Sequence, residues 1–397
     1  MRDEMKKVPR LRFRGFQDDW EHRKLDDSIK VMDGDRGANY PHDTDFFKDG
    51  DTLFLDTGNV TKNGFKFDSV KYITNEKDEQ LRAGKLEKND FVLTSRGTLG
   101  NVGFYDEVVY NLHPKIRINS AMLILRNTDE QLSYSYLHTL LKGQLISDFM
   151  KKNQVGSAQP HITKSEFLKL NLNVPCNINE QNKIGNFFKS LDVTITLHQR
   201  KLDQLKELKK AYLQVMFPEK DERVPKLRFA DFEEEWELCK FSDILETHST
   251  KKYLAEPNKN GEFEVIQQGD NPIIGYATGK AFLDYNKIVL FGDHTLSLYK
   301  PKRPFFVATD GIKILSGKNT IGKFLFTLLQ RYMPNSQGYK RHFTILKNEN
   351  IYYTSTDTEQ LEIGDLFLRF DILTTYYQDR IINLKKLKKS YLQNMFI

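Results

Sequence analysis

The feature that most constrains this chain is that it says the same thing twice. LKKAYLQVMFP at 208–218 returns as LKKSYLQNMF at 387–396. Upstream, VPRLRFRGFQDDW at 8–20 returns as VPKLRFADFEEEW at 224–236, with seven of thirteen positions identical at an offset of 216. The closing match extends without a gap over 180–217 and 359–396, with 18 of 38 positions identical at an offset of 179. The chain is a tandem duplication whose halves share an opening and a closing motif. Between those motifs lie 159 residues in the first half and 122 in the second, so the variable part is the middle of each half.

The closing motifs predict long helices. Phe188, Leu191, Ile195, His198, Leu202, Leu205, Lys209 and Tyr212 follow the alternating three and four spacing of a coiled-coil seam, and Phe367, Phe370, Thr374, Tyr377, Ile381, Leu384, Lys388 and Tyr391 repeat it in phase. Neither copy contains Pro, and an uninterrupted helix of this length would span roughly 55 Å. A short apolar helix ends near Asp192 and Asp371, which leaves a break there open. His198, Thr374 and the two lysines weaken each seam as an autonomous coiled coil. The expected partner of each copy is therefore the other copy, antiparallel about a pseudo-two-fold axis.

Composition limits what the middles can be. At 397 residues, with 39% apolar and 12% aromatic residues, the chain has material for two folded cores. Two cysteines, Cys176 and Cys239, fall in different halves and supply no disulfide framework. Apolar runs such as AMLIL at 121–125 are strand-sized, and the expectation is a soluble, cytoplasmic protein. The net charge of +6 is concentrated in the helices: 198–210 carries +3 and 377–389 carries +4, leaving the remainder near neutral. Any nucleic-acid contact by the middles must come from local loops.

Those middles read as mixed α and β. NDFVLTSRGTLGNVGFYD at 89–106 and NKIVLFGDHTLSLYKPKRPFFVATDGIKIL at 286–315 are strand-rich, with turns between, and share a faint skeleton from Asn89 to Thr98 and from Asn286 to Thr295. Helical stretches follow around 135–152 and 322–332, each leading through a polar loop to the closing helix. Motifs for chemistry are missing. DNPII at 270–274 is not the Pro-Pro-aromatic motif of an amino-methyltransferase, GYATGKA at 275–281 is not a phosphate loop, and RGTLGNVG at 96–103 is not a dinucleotide fingerprint. The nine histidines show no paired ligand spacing.

The order of a VPxLRFxxFxxxW opening, a variable domain, QPHITKSE at 159–166 and an EQxxIGxFF…LD…LKKxYLQxMF helix, nearly all of it repeated, resembles the DNA-specificity subunit of type I restriction-modification systems. In the second half QGYKRHFTILKNENIYYTS at 337–355 stands in for QPHITKSE. The resemblance implies an α+β fold in which two similar mixed α/β target-recognition domains, 8–179 and 218–358, are separated by two long antiparallel helices, 180–217 and 359–397. It implies a non-catalytic subunit that reads double-stranded DNA and docks two N6-adenine methyltransferase subunits, with motor-nuclease subunits added for cleavage. No cofactor is expected on this chain. S-adenosylmethionine, ATP and Mg would sit on the partners.

Different loops on the two domains would read an asymmetric bipartite site. Expected DNA contacts are Arg96 in the glycine turn, Lys151 and Lys152 at a helix end, and Gln154, Ser157, Gln159 and His161 in the polar loop. In the second domain they are Lys300, Lys302 and Arg303 in the hairpin, with Lys340, Arg341 and His342. Leu191, Ile195, Leu202, Leu205 and Tyr212, with Phe370, Tyr377, Ile381, Leu384 and Tyr391, are expected to pack the helices or meet partners. A free-standing two-headed DNA-binding regulator and a protein-binding scaffold are the alternatives.

Overall fold

The structure is a computed structural model that describes residues 8–154, 160–338 and 340–396. It divides into two compact units. The first runs to Leu197 and resumes at Ile381, while the second is the continuous stretch His198–Arg380. Each unit thus holds one variable domain with a segment of both closing helices.

The two units repeat one fold. In the first, a four-stranded antiparallel sheet has the order Ile29–Asp33, Met122–Asn127, Phe91–Thr94, Val102–Phe104, with Ile124 opposite both Met32 and Val92. In the second, the order Leu245–His248, Ile312–Gly317, Val289–Gly292, Leu298–Tyr299 is the same arrangement, with Ile314 opposite His248 and Leu290. Each unit also has a three-stranded mixed sheet whose central strand, Thr52–Leu55 or Phe263–Ile266, runs antiparallel to one neighbour and parallel to the other. A ribbon then ties the opening motif to the residues before the closing helix, pairing Trp20–Lys24 with Asn171–Pro175 and Glu237–Lys240 with Asn350–Tyr353.

The closing segments are unbroken helices, Ile178–Val215 and Asp357–Met395. Asp192 and Asp371, where the sequence leaves a break open, lie mid-helix, and their carboxylates accept from Lys388 and Lys209. Within the first unit Phe187 meets Tyr391 and Asp192 meets Lys388; within the second His198 meets Tyr377 and Tyr212 meets Phe370. Numbers rise on one helix as they fall on the other, so the helices run antiparallel in each unit. Leu202, Leu205, Phe370, Ile381 and Leu384 are buried, and Leu191, Ile195, Tyr212, Tyr377 and Tyr391 are half-buried, as the seam requires.

Repeated polar residues lock each helix start. Arg12 donates to both oxygens of buried Glu180 at 2.6 and 2.8 Å, and Arg228 does the same to Glu359 at 2.7 and 3.0 Å. The next residue, Gln181, accepts from the Ser133 amide and donates to the carbonyls of Gln131 and Pro175. Gln360 repeats this with the Ile321 amide and the carbonyls of Asn319 and Thr354. The Ile-Gly that follows has a steric reason. A Cβ on Gly185 would stand 2.3 Å from the backbone of Ser135, and one on Gly364 would stand 2.8 Å from Lys323 Cβ, so only glycine lets the long helix cross the shorter one this closely.

Candidate nucleic-acid interface

In the first domain the turn between Phe91–Thr94 and Val102–Phe104 places Gly97 and Gly100 at φ of 69° and 82°, left-handed conformations that favour glycine. The polar loop runs beside it. The Gly97 amide donates to Pro160 O at 3.3 Å, the Ile162 amide donates to Ser95 O at 2.9 Å, and Arg96 stands opposite His161 in an antiparallel bridge. Two residues far apart in sequence are thereby brought onto one face. They line an open cleft of about 340 Å³ with Asp33, Arg36 and Lys164. Arg36 donates to Asp33 Oδ1 and to Ser120 O, both at 3.2 Å, and is half-exposed, and Lys164 opens the short helix Lys164–Phe167, which is capped by Thr163.

Lys151 and Lys152 are exposed in the last turn of the helix Gln144–Asn153, and Gln154 follows them. Buried Met150 anchors that turn: its Cγ lies 3.6 Å from where a Cβ on Gly100 would be. The helix end therefore belongs to the same surface as the glycine turn. Ser157 and Gln159 lie outside the described residues. Arg36 and Lys164 are additions to the expected set, although DGDRGAN at 33–39 and the TKSE of the polar loop carry turn and cap signals that mark such positions.

The second domain departs from expectation at two residues. His342 is fully buried: its amide and Nδ1 donate to Asp293 O at 2.8 and 3.1 Å, and Nε2 accepts from the Gln337 amide at 3.1 Å. A neutral imidazole with one donor and one acceptor satisfies all of this, and the ring pins the loop to the hairpin. Lys300 also turns inward, donating to the carbonyls of Tyr285, Asn286 and Ile288 at 3.2, 2.5 and 2.8 Å, and burial, with Lys323 nearby, pulls its ammonium down to about 8. Both side chains hold the domain together. Arg303 is half-exposed, bonded to Glu264 at 2.5 Å and lying over the Tyr276 ring at 5.8 Å. Lys302, Lys340 and Arg341 are exposed, the last two just before the helix Phe343–Asn348.

The two tips thus share a scaffold with different chemistry. In the shared skeleton Asp293 occupies the place of Arg96, and it is buried, accepting from the Phe343 amide at 2.8 Å. One tip offers arginines around a histidine, and the other offers lysines and an arginine around a closed Asp–His core.

Residues 17–207 match the family described as the type I restriction modification DNA specificity domain. That match covers just under half of the chain. A curated relative, the specificity subunit of the type I restriction enzyme MjaVIII of Methanocaldococcus jannaschii, is 22% identical over 249 residues. That alignment covers 59% of this chain and 51% of the relative, so the chain spans about half the length of the curated relative it matches. The specificity fold extends further. The S subunit of the type I restriction-modification system from M. genitalium superposes with a TM-score of 0.71 at 15% identity, covering 98% of this chain and 99% of that one. A chain solved in work on complex assembly and conformational transition of the type I R-M system matches with a TM-score of 0.50 at 14% identity, covering 95% and 97%. The α+β specificity fold with two domains and two long antiparallel helices is the one expected from the repeats. No helix among the described residues is long and apolar enough to cross a membrane.

Proposed function

We propose that the chain is a non-catalytic DNA-reading subunit whose two recognition domains contact the two halves of an asymmetric bipartite site, and whose helix repeats each dock one methyltransferase subunit. The carrying observation is a set of exposed apolar residues at equivalent helix positions. Val193, Leu197 and Leu208 of the first copy correspond at the offset of 179 to Ile372, Tyr376 and Leu387 of the second, and all six are between 43% and 57% exposed. Each unit presents one full set: Val193 and Leu197 with Leu387 in the first, Ile372 and Tyr376 with Leu208 in the second. Apolar side chains repeated in this way on a solvent-facing helix surface are what two like partners would cover.

The difference between Arg96 and Asp293 supports an asymmetric site, because base reading depends on the side chains each tip offers. S-adenosylmethionine, ATP and Mg would be brought by methyltransferase and motor-nuclease partners. The mass of the complex purified with the methyltransferase tests the docking, with two copies per chain expected. Saturation at one copy would argue against it, and tight site-specific DNA binding by the chain alone would favour a free-standing regulator.

A further inference from the structure

Of the lysines around the LKK motif, Lys209 is held by Asp371, whereas packing leaves exposed Lys206 and Lys210 unexplained. In the second unit an open cleft of about 480 Å³ is lined by Lys206, Lys209 and Lys210 of the first long helix, Gln330 and Arg331 at the end of Gly322–Arg331, and Asp371 and Thr374 of the second long helix. Lys209 is paired with Asp371, and among the described residues Lys206 and Lys210 form no ion pair. Four cations face one carboxylate. Two lining atoms that can donate, Arg331 Nε and Thr374 Oγ1, are buried without a hydrogen-bond partner among the described residues, as are two acceptors, Gln330 Oε1 and Asp371 Oδ2, and an anion would serve only the donors. Buried polar atoms left unpaired are costly, and such a cluster marks a place where a further group belongs.

The constellation recurs. At the offset of 179 the first unit has Lys385, Lys388 and Lys389, with Asp192 paired to Lys388, and Lys142 at the C-cap of Tyr134–Leu141 supplies the fourth cation in place of Arg331. Lys142 is largely buried, which pulls its ammonium down, and Asp192 acts against that shift.

We propose that the cleft walled by Lys206, Lys209, Lys210 and Arg331 seats a phosphate group, and that its equivalent around Lys385 and Lys389 seats another. This rests on the DNA-reading role proposed above, in which the phosphate is that of the DNA backbone. Phosphate fits better than a partner carboxylate. Asp371 already neutralises one cation, three remain, and a phosphate accepts from several ammonium, guanidinium and hydroxyl donors at once. Such a grip carries no sequence information and acts as a second hold beside the reading tips.

The test is the full-length chain carrying Lys206→Gln and Lys210→Gln, both on an exposed helix face, measured for affinity over a range of salt on a duplex with the recognised site and one without it. The salt slope should fall by about 0.9 on both duplexes, the contribution of the one phosphate no longer neutralised, with the methylated sequence unchanged. Thermal stabilisation by inorganic phosphate, abolished in the variant while the DNA slope stays the same, would assign the seat to a free phosphate. If neither quantity changes, the proposal fails. It also fails if the variant loses only methyltransferase binding, because the cleft would then meet an acidic protein surface. A native chain that prefers no duplex would sink the DNA-reading role, yet the phosphate titration would still decide the cleft.

Discussion

Lys388 reaches 2.5 Å to the carboxylate of Asp192, and the same pair, each partner moved by 179 positions and the helices exchanged, is Lys209 with Asp371. One ion pair therefore appears twice, each time between the first helix and the second. Both are partly exposed, so each contributes modestly, about 0.5–1 kcal/mol. Charge reversal at Lys388 alone should destabilise the chain by about that much in urea unfolding. Reversing Asp192 as well should restore it, and a double-mutant cycle without coupling would show that the pair contributes nothing to helix pairing.

The Arg–Glu clamps should matter far more. Glu359 is wholly buried and Arg228 nearly so, and removing one partner of such a pair leaves an uncompensated charge. Arg228→Ala and Arg12→Ala should each cost about 3–5 kcal/mol, read as a lowered denaturation midpoint, whereas a change at exposed Arg223 should cost little.

His138 should make the first unit sensitive to acid. Its ring lies against Phe91 and Phe104, with centroids 5.9 and 5.5 Å away. Burial, reinforced by Lys142 and Lys388 and opposed by Asp192 and Asp106, lowers its pKa to about 4. The folded pKa lies below the unfolded one, so this stabilisation is full above pH 6.5 and is lost as pH falls from 6.5 toward 4, by up to about 3 kcal/mol. Phe326 fills the equivalent fifth position of the helix Gly322–Arg331. His138→Phe should remove this part of the fall in melting temperature between pH 6.5 and 4.5, and an unchanged profile would place the acid sensitivity elsewhere.

If the helices set the spacing of the two half-sites, length changes should be read out on DNA. Four residues inserted after Leu205 add about 6 Å and roughly one turn, nearly preserving the apolar face. The half-sites should stay the same while the gap grows by about one or two base pairs, at ~3.4 Å per base pair. One inserted residue rotates the downstream helix by about 100° and should abolish assembly. Methylome sequencing checks both, and an old gap or new half-sites in the four-residue variant would remove the measuring role.

The repeats make most of the fold legible, because seam spacing and glycine-punctuated hairpins are local signals. Phe188, Leu202 and Leu384 fall on the buried seam by periodicity alone. What periodicity does not supply is the long-range pairing. Arg12 and Glu180 are 168 positions apart, and only their joint recurrence as Arg228 and Glu359 marks them as partners. At the tips, charge is a poor guide. Lys300 and His342 look like DNA contacts in sequence, but the carbonyls of Tyr285, Asn286 and Ile288, and that of Asp293, capture them once the chain folds. Arg96 and His161 do come together, because the turn and the loop are bound to each other through backbone bonds that no side-chain pattern announces.

The split of the first unit around the second sets an order in time. A ribosome releases all of His198–Arg380 before Ile381, so every core residue of the second unit is in hand while the first still lacks Tyr391, Leu392, Met395 and Phe396. Phe396 lies against Trp20 and Tyr136, and the Leu11 amide donates to Asn394 O, so the opening motif is secured by the end of the second long helix. The nascent chain must keep a half-finished apolar surface until the second long helix is made, and a chain cut short before Ile381 has one unit whose core is complete and one that is left open.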